Sequence, residues 1–385
     1  MWIQRLTLSN FRNYRAQELT LAKGPSLLLG ANAQGKSNLL EAAFLLATTR
    51  SARAQTEGEL IHWDVLSDPQ PVARVAARIE RRDGPLEIEV VVAGRPQGTE
   101  RARVPASKRL RVNGVPRRQA DVVGQLTAVL FSTDDMKLIK GAPSERRRYL
   151  DVMLSQLQPP YMVALQRYGK VVSQRNALLR RIQSGEAAPD ELDFWDEELA
   201  GHGATLVGAR SQAVEELAGH ARAAHRQLSG NTEELAIAYA PRIEGWTGER
   251  LDELGAALGE ALASGRQRDI GAGVTLTGPH RDDLIILLNG VAAASFASRG
   301  QERTAALALR LAEARYMADS KDDLPVVLLD DVLSELDEDR RRAVLSSLEE
   351  WDQILITSAD GDRFDEGLPE SAAVFRVEAG TIQPA

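Results

Sequence analysis

The segment Gly30-Ala31-Asn32-Ala33-Gln34-Gly35-Lys36-Ser37 constrains the fold of this chain more than any other. It fits G-x-x-x-x-G-K-[ST], follows the apolar run Leu27-Leu28-Leu29, and precedes Asn38-Leu39-Leu40-Glu41-Ala42-Ala43, which is helix-like. Strand, glycine loop and helix are the context this phosphate-binding motif requires. The glycines let backbone N–H groups turn inward round phosphate oxygens, and the helix N-terminus adds a favourable dipole. Lys36 would set a point charge on the β- and γ-phosphates, and Ser37 a hydroxyl on Mg²⁺. A chance glycine-rich turn would lack these flanks.

The second constraint lies nearly 300 residues downstream. Pro325-Val326-Val327-Leu328-Leu329-Asp330-Asp331 reads as a buried strand ending in two acids. Asp330 would serve Mg²⁺, usually through water. Asp331 would face and polarise the attacking water, which makes Lys36 and Asp331 the catalytic pair. In isolation, an apolar strand before an acidic helix cap is a common accident; beside a phosphate loop it is not. The separation implies a block inserted between two halves of one nucleotide fold.

That block is visible in composition. Up to about residue 134, short strand patterns alternate with turns: Ile3–Leu8, Ser26–Leu29, Val72–Ile79 and Leu86–Val92, with Asp83-Gly84-Pro85 between the last two. Asn113-Gly114 and Asn289-Gly290 signal type I′ hairpins. From about Asp134 to Arg268, Leu, Ala, Arg, Gln and Glu dominate at helical spacing. Strands return at Val274–Leu276 and Leu284–Leu288, then a helix over Gln301–Ala318, the acidic strand, a helix over Asp339–Leu348 and a strand at Ile354–Thr357. The end, from about Gly380, reads as frayed. The expected fold is α/β: a P-loop ATPase head split by a helical insertion, or arm. Its parts are an N-terminal half over 1–134, the arm over 135–273 and a C-terminal half over 274–385.

The 385 residues include no cysteine, which excludes disulfides, a thiol nucleophile and Cys-x-x-Cys metal sites. Arg5, Arg12 and Arg15 interrupt the start, so it does not read as a signal peptide. No uncharged apolar run reaches membrane-spanning length. A cytoplasmic protein with no membrane partner is expected. The net charge of −8 argues against coating nucleic acid by bulk charge, though not against local basic patches.

Ser298-Arg299-Gly300-Gln301-Glu302-Arg303 precedes the helix over 301–318. Ser, Gly and Gln at a helix start make a second anion site. One chain does not bring two such sites onto one γ-phosphate when each opens its own helix, whereas two chains related by a two-fold do. Alone, a capped helix without a ligand would be the better reading. The order Ser-x-Gly-Gln, Leu-Leu-Asp-Asp, then Ser334-Glu335-Leu336-Asp337 resembles the signature, metal-binding strand and D-loop of ABC-type ATPases. The opening Leu8-Ser9-Asn10-Phe11-Arg12-Asn13-Tyr14 is similar to the SMC-related DNA-repair branch. Within it the chain resembles the bacterial RecF family, through Gly30–Asn38, Val129-Leu130-Phe131-Ser132, Leu138-Ile139-Lys140-Gly141, Arg146-Arg147-Arg148-Tyr149-Leu150-Asp151, Gln174-Arg175-Asn176, Leu276-Thr277-Gly278-Pro279-His280-Arg281-Asp282-Asp283 and Ser298–Glu302.

The resemblance implies ATP and Mg²⁺ as cofactors, with Gly30, Ala31, Asn32, Ala33, Gln34, Gly35, Lys36, Ser37, Asn38 and Arg12 on the nucleotide. Ser37 and Asp330 would serve the metal, and Ser298, Gly300, Gln301 and Asp337 would contact ATP in trans across an ATP-dependent homodimer. It also implies weak, DNA-stimulated ATP hydrolysis, and action at gapped or junction DNA with RecR and RecO, aiding RecA, with roles in replication upkeep and the SOS response. Three departures stand out. Asp331 is shorter than the Glu of many relatives, which suggests slow turnover. No histidine follows Ile354-Leu355-Ile356-Thr357, where Thr357 or Ser358 takes the place of a switch histidine. Phe131 to Asp135, the Q-loop equivalent, has no Gln.

Seven basic residues without an acid lie between Arg101 and Arg118: Arg101, Arg103, Lys108, Arg109, Arg111, Arg117 and Arg118. Arg146, Arg147 and Arg148 form a second cluster. Each group reads either as a solvated face or as phosphate contacts blind to base sequence. Family resemblance favours DNA for Arg101, Arg103, Lys108, Arg109, Arg111, Arg146, Arg147 and Arg148. The competing readings are a transporter subunit, an SMC protein, an ABC-linked nuclease and a scaffold that uses ATP as glue. The first lacks the Asn-Phe-Arg opening. The second needs a far longer insertion, and the third an extra acidic domain after the last strand. Substitution of Asp331 separates the scaffold, which would work without turnover.

Overall fold

A computed structural model describes residues 1–95, 105–243, 253–347, 350–359 and 372–385. The chain divides into two compact units, one of residues 1–135, 227–231 and 307–385, the other of residues 136–226 and 232–306. The first unit opens with β1 (Trp2–Phe11), β2 (Tyr14–Thr20), β3 (Gly24–Leu29), α1 (Lys36–Thr48), β4 (Val72–Glu80), β5 (Leu86–Gly94), β6 (Ala106–Val112), β7 (Val115–Arg117), α2 (Gln119–Val122) and β8 (Ala128–Ser132). The second unit holds α3 (Met136–Lys140), α4 (Pro143–Leu157), α5 (Pro159–Gln183), most of α6 (Leu192–Leu228), β9 (Leu235–Ala240), α7 (Leu254–Ala272), β10 (Asp283–Leu288), β11 (Val291–Ala292), α8 (Ala293–Phe296) and the start of α9 (Arg299–Ser320). The chain then runs through β12 (Val326–Asp330), α10 (Glu338–Ser347), β13 (Gln353–Ser358), β14 (Ala373–Glu378) and β15 (Thr381–Pro384).

In the first unit an antiparallel sheet has the order β2-β1-β4-β5-β6-β7, and a second sheet the order β15-β14-β3-β13-β12-β8. In the second sheet all neighbours are parallel except β15, which returns antiparallel on β14. Strict alternation along β1 would bury either odd or even positions. Ile3, Leu6 and Leu8 are all buried because a bulge between Ile3 and Arg5 shifts the register. Helix α1 is apolar on nearly every face and packs against β8, β12 and β13 of one sheet and β4 and β5 of the other. This sandwiched helix carries Lys36 and Ser37 at its first turn. The parallel sheet delivers the C-terminal ends of β3 and β12 to the same edge, where ligands bind in open α/β sheets.

In the second unit, Pro159 ends α4 and opens α5, since it removes a backbone donor and fits the first helical turn. The strands β11-β10-β9 form a small antiparallel sheet. Arg175 is fully buried between Asp196 (2.7 Å) and Asp269 (2.6 Å), and buried Arg210 binds Asp151 at 2.6 Å. Such charges are tolerated inside only because they are paired.

Both Asn-Gly hairpins form, with Asn113 and Asn289 at φ 50° and 49° and glycines following at positive φ. Several expectations need correcting. Residues 274–306, assigned from sequence to the ATPase head, pack within the second unit because β10 pairs along its length with β9. Val274–Leu276 is irregular rather than a strand: Val274 N donates to the backbone oxygen of Asp269, Thr275 N to Asn176 Oδ1 and Leu276 N to Asp269 Oδ1. The expected frayed end is β15, held by the ladder to β14. Strands β2, β9 and β14 were not anticipated. Among the described residues no helix is long and apolar enough to cross a membrane.

Candidate nucleotide site

The phosphate loop leaves β3 after Leu29 and enters α1 at Lys36. Two of its glycines are sterically required. A Cβ on Gly30 would stand 2.2 Å from the carbonyl oxygen of Val377, and Gly35 adopts φ +118° with Asn13 directly behind it. The loop is strapped from outside. Asn13 Nδ2 donates to Gln34 O (2.9 Å), Tyr14 Oη to Gly35 O (2.9 Å), and Gly380 N to Gln34 O (3.1 Å). Ala379 N donates to Gln34 Oε1 at 2.7 Å, and Asn38 Nδ2 to Asn13 Oδ1 at 2.8 Å. These bonds hold the carbonyls of Gln34 and Gly35 outward, so the N–H groups of the same peptide units, on Gly35 and Lys36, face the concave side, where an anion binds. Burial pushes the Tyr14 phenol pKa up, keeping it a donor. Ala31, Asn32 and Ala33 form an exposed rim.

Lys36 is 6% exposed and donates to Gly30 O (2.6 Å) and Ala31 O (2.9 Å). Burial lowers its pKa, and Asp331 and then Asp330 oppose that shift. Asp330, 5% exposed at the end of β12, accepts Ser37 Oγ at 2.6 Å on Oδ1, with Thr357 Oγ1 at 3.0 Å from the same oxygen. Arg53 binds the other carboxylate oxygen. Asp331 turns left-handed at φ 55°, breaking strand alternation, so that both carboxylates act on Lys36. Its N–H donates to Thr357 Oγ1 (2.9 Å), and Ser334 Oγ donates to its Oδ1 (2.9 Å). Thr357, one of the two candidates for the histidine position, therefore touches both acids.

Ser37 Oγ and Asp330 Oδ1 are hard oxygen donors of the type Mg²⁺ selects. No group of three or more His, Asp or Glu among the described residues would hold a metal alone. Ser37 and Asp330 would therefore suit a hard cation that takes its remaining ligands from outside the protein.

Arg12, expected on the nucleotide, is a bidentate partner of buried Glu41, with Nε and Nη2 each 2.8 Å from its oxygens, and donates to Glu59 O at 2.9 Å. Ser51 binds the same Glu41, which fixes the turn that carries Arg53. Asn13 and Tyr14 lie in the opening motif, which does not assign them to the loop, and Arg53 and the 379–380 turn carry no motif; only position relative to the loop reveals their part.

In the second unit, Ser298 and Gly300 are exposed at the start of α9. Gln301 Oε1 accepts Ser298 N (2.8 Å), while Ser298 Oγ accepts Gln301 N (3.3 Å). The pair is a capping box. Asp337, exposed in the first unit, caps α10 through Arg340 N (2.9 Å), and that bond holds its carboxyl below the usual range.

The sequence profile described as the RecF/RecN/SMC N terminal domain matches residues 2–383. The chain is 42% identical over 389 residues to a protein of Chloroflexus aggregans named DNA replication and repair protein RecF, covering 99% of each. It is 43% identical to the protein of that name in Roseiflexus castenholzii, covering 100% of both. The chain belongs to the RecF family. A solved structure described as the recombination mediator protein RecF with ATP in the RecFOR pathway superimposes with a TM-score of 0.87 at 32% identity, covering 100% of this chain and 97% of the other. An Smc head bound to the C-winged helix domain of ScpA gives 0.54 at 16% identity, a likeness of fold alone. The ABC-type head expected from the motif order is thus the RecF fold.

The basic residues of this RecF-family chain divide sharply. Arg101 and Arg103 lie outside the described residues. Lys108 turns inward to Glu57 (2.5 Å) and Thr49 O, and Arg146 is buried against Asp283 (2.7 and 2.8 Å) with Gly141 O at 2.9 Å. Neither side chain presents its charge outward, which corrects the expectation of DNA contact: the Lys108 ammonium is taken by Glu57 and Thr49 O, and the Arg146 guanidinium gives Nε and Nη2 to Asp283 and Nη1 to Gly141 O. Arg147 is half-buried and donates to Asp282 O (2.7 Å). Arg148 is exposed. Arg109, Arg111 and Arg117 line a cleft of about 510 Å³ along β6 and β7, with Arg111 3.6 Å from Glu89.

Proposed function

We propose that this chain is an ATP-switched DNA-binding protein of replication and recombinational repair. Its ATP site is completed by a second copy. The observation that carries the reading is the 2.6 Å contact of Ser37 with Asp330, which joins the phosphate loop to the acidic strand. The relatives' shared name and the ATP in a solved relative's description support it. The first unit serves as the ATPase head, and the second as the arm bearing the signature.

In this reading the backbone N–H groups of the loop and Lys36 Nζ bind the phosphates, and Ser37 and Asp330 would hold Mg²⁺, which would supply positive charge against them. Asp331, steadied by Ser334 on one oxygen, uses the other to orient the attacking water and take its proton. The short carboxylate makes hydrolysis slow. Ser298, Gly300 and Asp337 meet the γ-phosphate of the partner copy, and Ser298 Oγ, while accepting from Gln301 N, donates its own O–H to the phosphate. Arg109, Arg111 and Arg117, with Arg148, take DNA phosphates without reading bases. Action at gapped or junction DNA with RecR and RecO, aiding RecA loading and SOS induction, belongs to this proposal.

Sedimentation velocity with and without ATP and Mg²⁺ tests it. A nucleotide-dependent dimer is expected, with DNA affinity that rises in the same conditions. Ser298→Ala is expected to abolish the dimer while the monomer still binds ATP. A monomer unchanged by ATP would overturn the reading.

A further inference from the structure

Gln301 has a primary amide with two unlike ends, and only one of them suits the N–H of Ser298. The carbonyl end takes that bond at 2.8 Å. The amino end is held by Glu233 Oε1 at 2.7 Å, in the turn just before β9. Glu233 uses its second oxygen on His225 Nε2 (3.2 Å), buried in the last turns of α6. A carboxylate only accepts, so Nε2 of His225 carries a proton. An amide flipped by 180° would set N–H against N–H at Ser298 and oxygen against oxygen at Glu233. The carboxylate therefore determines which way Gln301 points. Next along the helix, buried Glu302 pairs with Lys140 at 2.5 Å, so the first turn of α9 is tied at two successive side chains.

We propose that Glu233 is a positioning residue for the Ser298 loop: through Gln301 it holds Ser298 N–H and the Ser298 turn in the geometry that meets the partner's nucleotide. This inference rests on the reading that Ser298 acts in trans. Neither Glu233 nor His225 touches nucleotide in it. Their contribution is preorganisation, so their loss costs association and spares ATP capture by the monomer.

The test is dimerisation by sedimentation in ATP and Mg²⁺, with ATP binding by the monomer and thermal unfolding measured in parallel, for wild type, Ser298→Ala, Glu233→Ala, Gln301→Glu and the double variant Glu233→Gln/Gln301→Glu. Glu233→Ala frees the amide of Gln301 and is expected to weaken the dimer roughly ten- to hundredfold. Gln301→Glu sets two carboxylates together and should do the same. In the double variant the carboxylate introduced at position 301 accepts from both Ser298 N–H and the amide introduced at position 233, whose oxygen accepts from His225. That swap should restore the dimer, a recovery that a merely structural role for either residue does not provide. If wild type dimerises and Ser298→Ala does not, yet Glu233→Ala matches wild type or the swap fails to recover, this inference alone falls. If wild type itself does not dimerise with ATP, the trans reading falls and takes this one with it.

Discussion

Ser37 Oγ lies 2.6 Å from Asp330 Oδ1, although 293 positions separate the two residues in the chain. The hydroxyl sits on the first turn of α1 and the carboxylate at the C-terminal end of β12, and α1 packs on that strand. Replacing Asp330 with Asn keeps the shape and removes the charge. ATP hydrolysis is expected to fall about a hundredfold or more, while nucleotide still binds through the loop. Steady-state phosphate release and equilibrium binding of a fluorescent ATP analogue would separate the two; equal hydrolysis would remove Asp330 from the metal site.

Arg53 neutralises the oxygen of Asp330 that faces away from Ser37. Its side chain is 42% exposed, so water screens the pair and its worth is below about 1 kcal/mol. A divalent cation approaching Asp330 competes with that guanidinium. Arg53→Ala should therefore lower the Mg²⁺ concentration needed for half-maximal hydrolysis by roughly two- to fivefold at low salt. A Mg²⁺ titration at two ionic strengths checks this, and a raised requirement would show that Arg53 helps rather than competes.

Asn13 donates to Gln34 O and accepts from Asn38, bracing the phosphate loop from behind. Asn13→Ala leaves the carbonyl of Gln34 with the single bond from Gly380 N. Loss of one such bond is worth about 1 kcal/mol, so ATP affinity should weaken roughly fivefold, with little change in melting temperature. Calorimetric titration decides.

Arg146 and the arginines of β6 should behave oppositely. Arg146→Ala breaks a buried pair and strands Asp283, which is expected to cost about 2–4 kcal/mol of stability, with DNA affinity of the folded protein unchanged. Arg109→Ala and Arg111→Ala remove exposed charge and should leave stability within about 0.5 kcal/mol. Each should also reduce the slope of log affinity against log salt by about one. Chemical denaturation and DNA-binding anisotropy across a salt series read both effects.

His280 is partly buried, with Nδ1 2.7 Å from Tyr168 Oη and Nε2 3.0 Å from Thr275 O. A carbonyl only accepts, so Nε2–H donates to it and Nδ1 accepts from the tyrosine, which is the neutral ring. Burial pulls its pKa down to about 4, below the ordinary 6.5. The unfolded chain therefore binds the proton first as pH falls. The stability this ring contributes is complete above about pH 6.5 and is lost as pH drops toward 4, by up to about 3 kcal/mol. Denaturant midpoints from pH 7.5 to 4.5 should fall less for His280→Gln than for wild type, and parallel curves would clear His280 of the acid sensitivity.

Much of this protein is legible without coordinates because its chemistry is local. The phosphate loop needs glycines at set intervals between a strand and a helix, and the acidic strand needs its apolar run. The Asn-Gly hairpins need two residues that tolerate positive φ, and such signals survive in sequence because neighbours along the chain satisfy them. What the chain alone does not disclose is pairing across distance. Lys108 and Arg146 read as surface charge because Glu57 and Asp283 lie far off in sequence, and Arg12 reads as a nucleotide contact because Glu41 is inconspicuous inside its helix. Strands β2, β9 and β15 escape notice since edge strands carry weak alternation and gain their stability from the ladder. The residue types in one linear order thus determined the phosphate loop, the acidic strand and the capped start of α9. Only tertiary packing decided which charges remain for a ligand, because a charge brought near an opposite one in a poorly solvated interior is neutralised there.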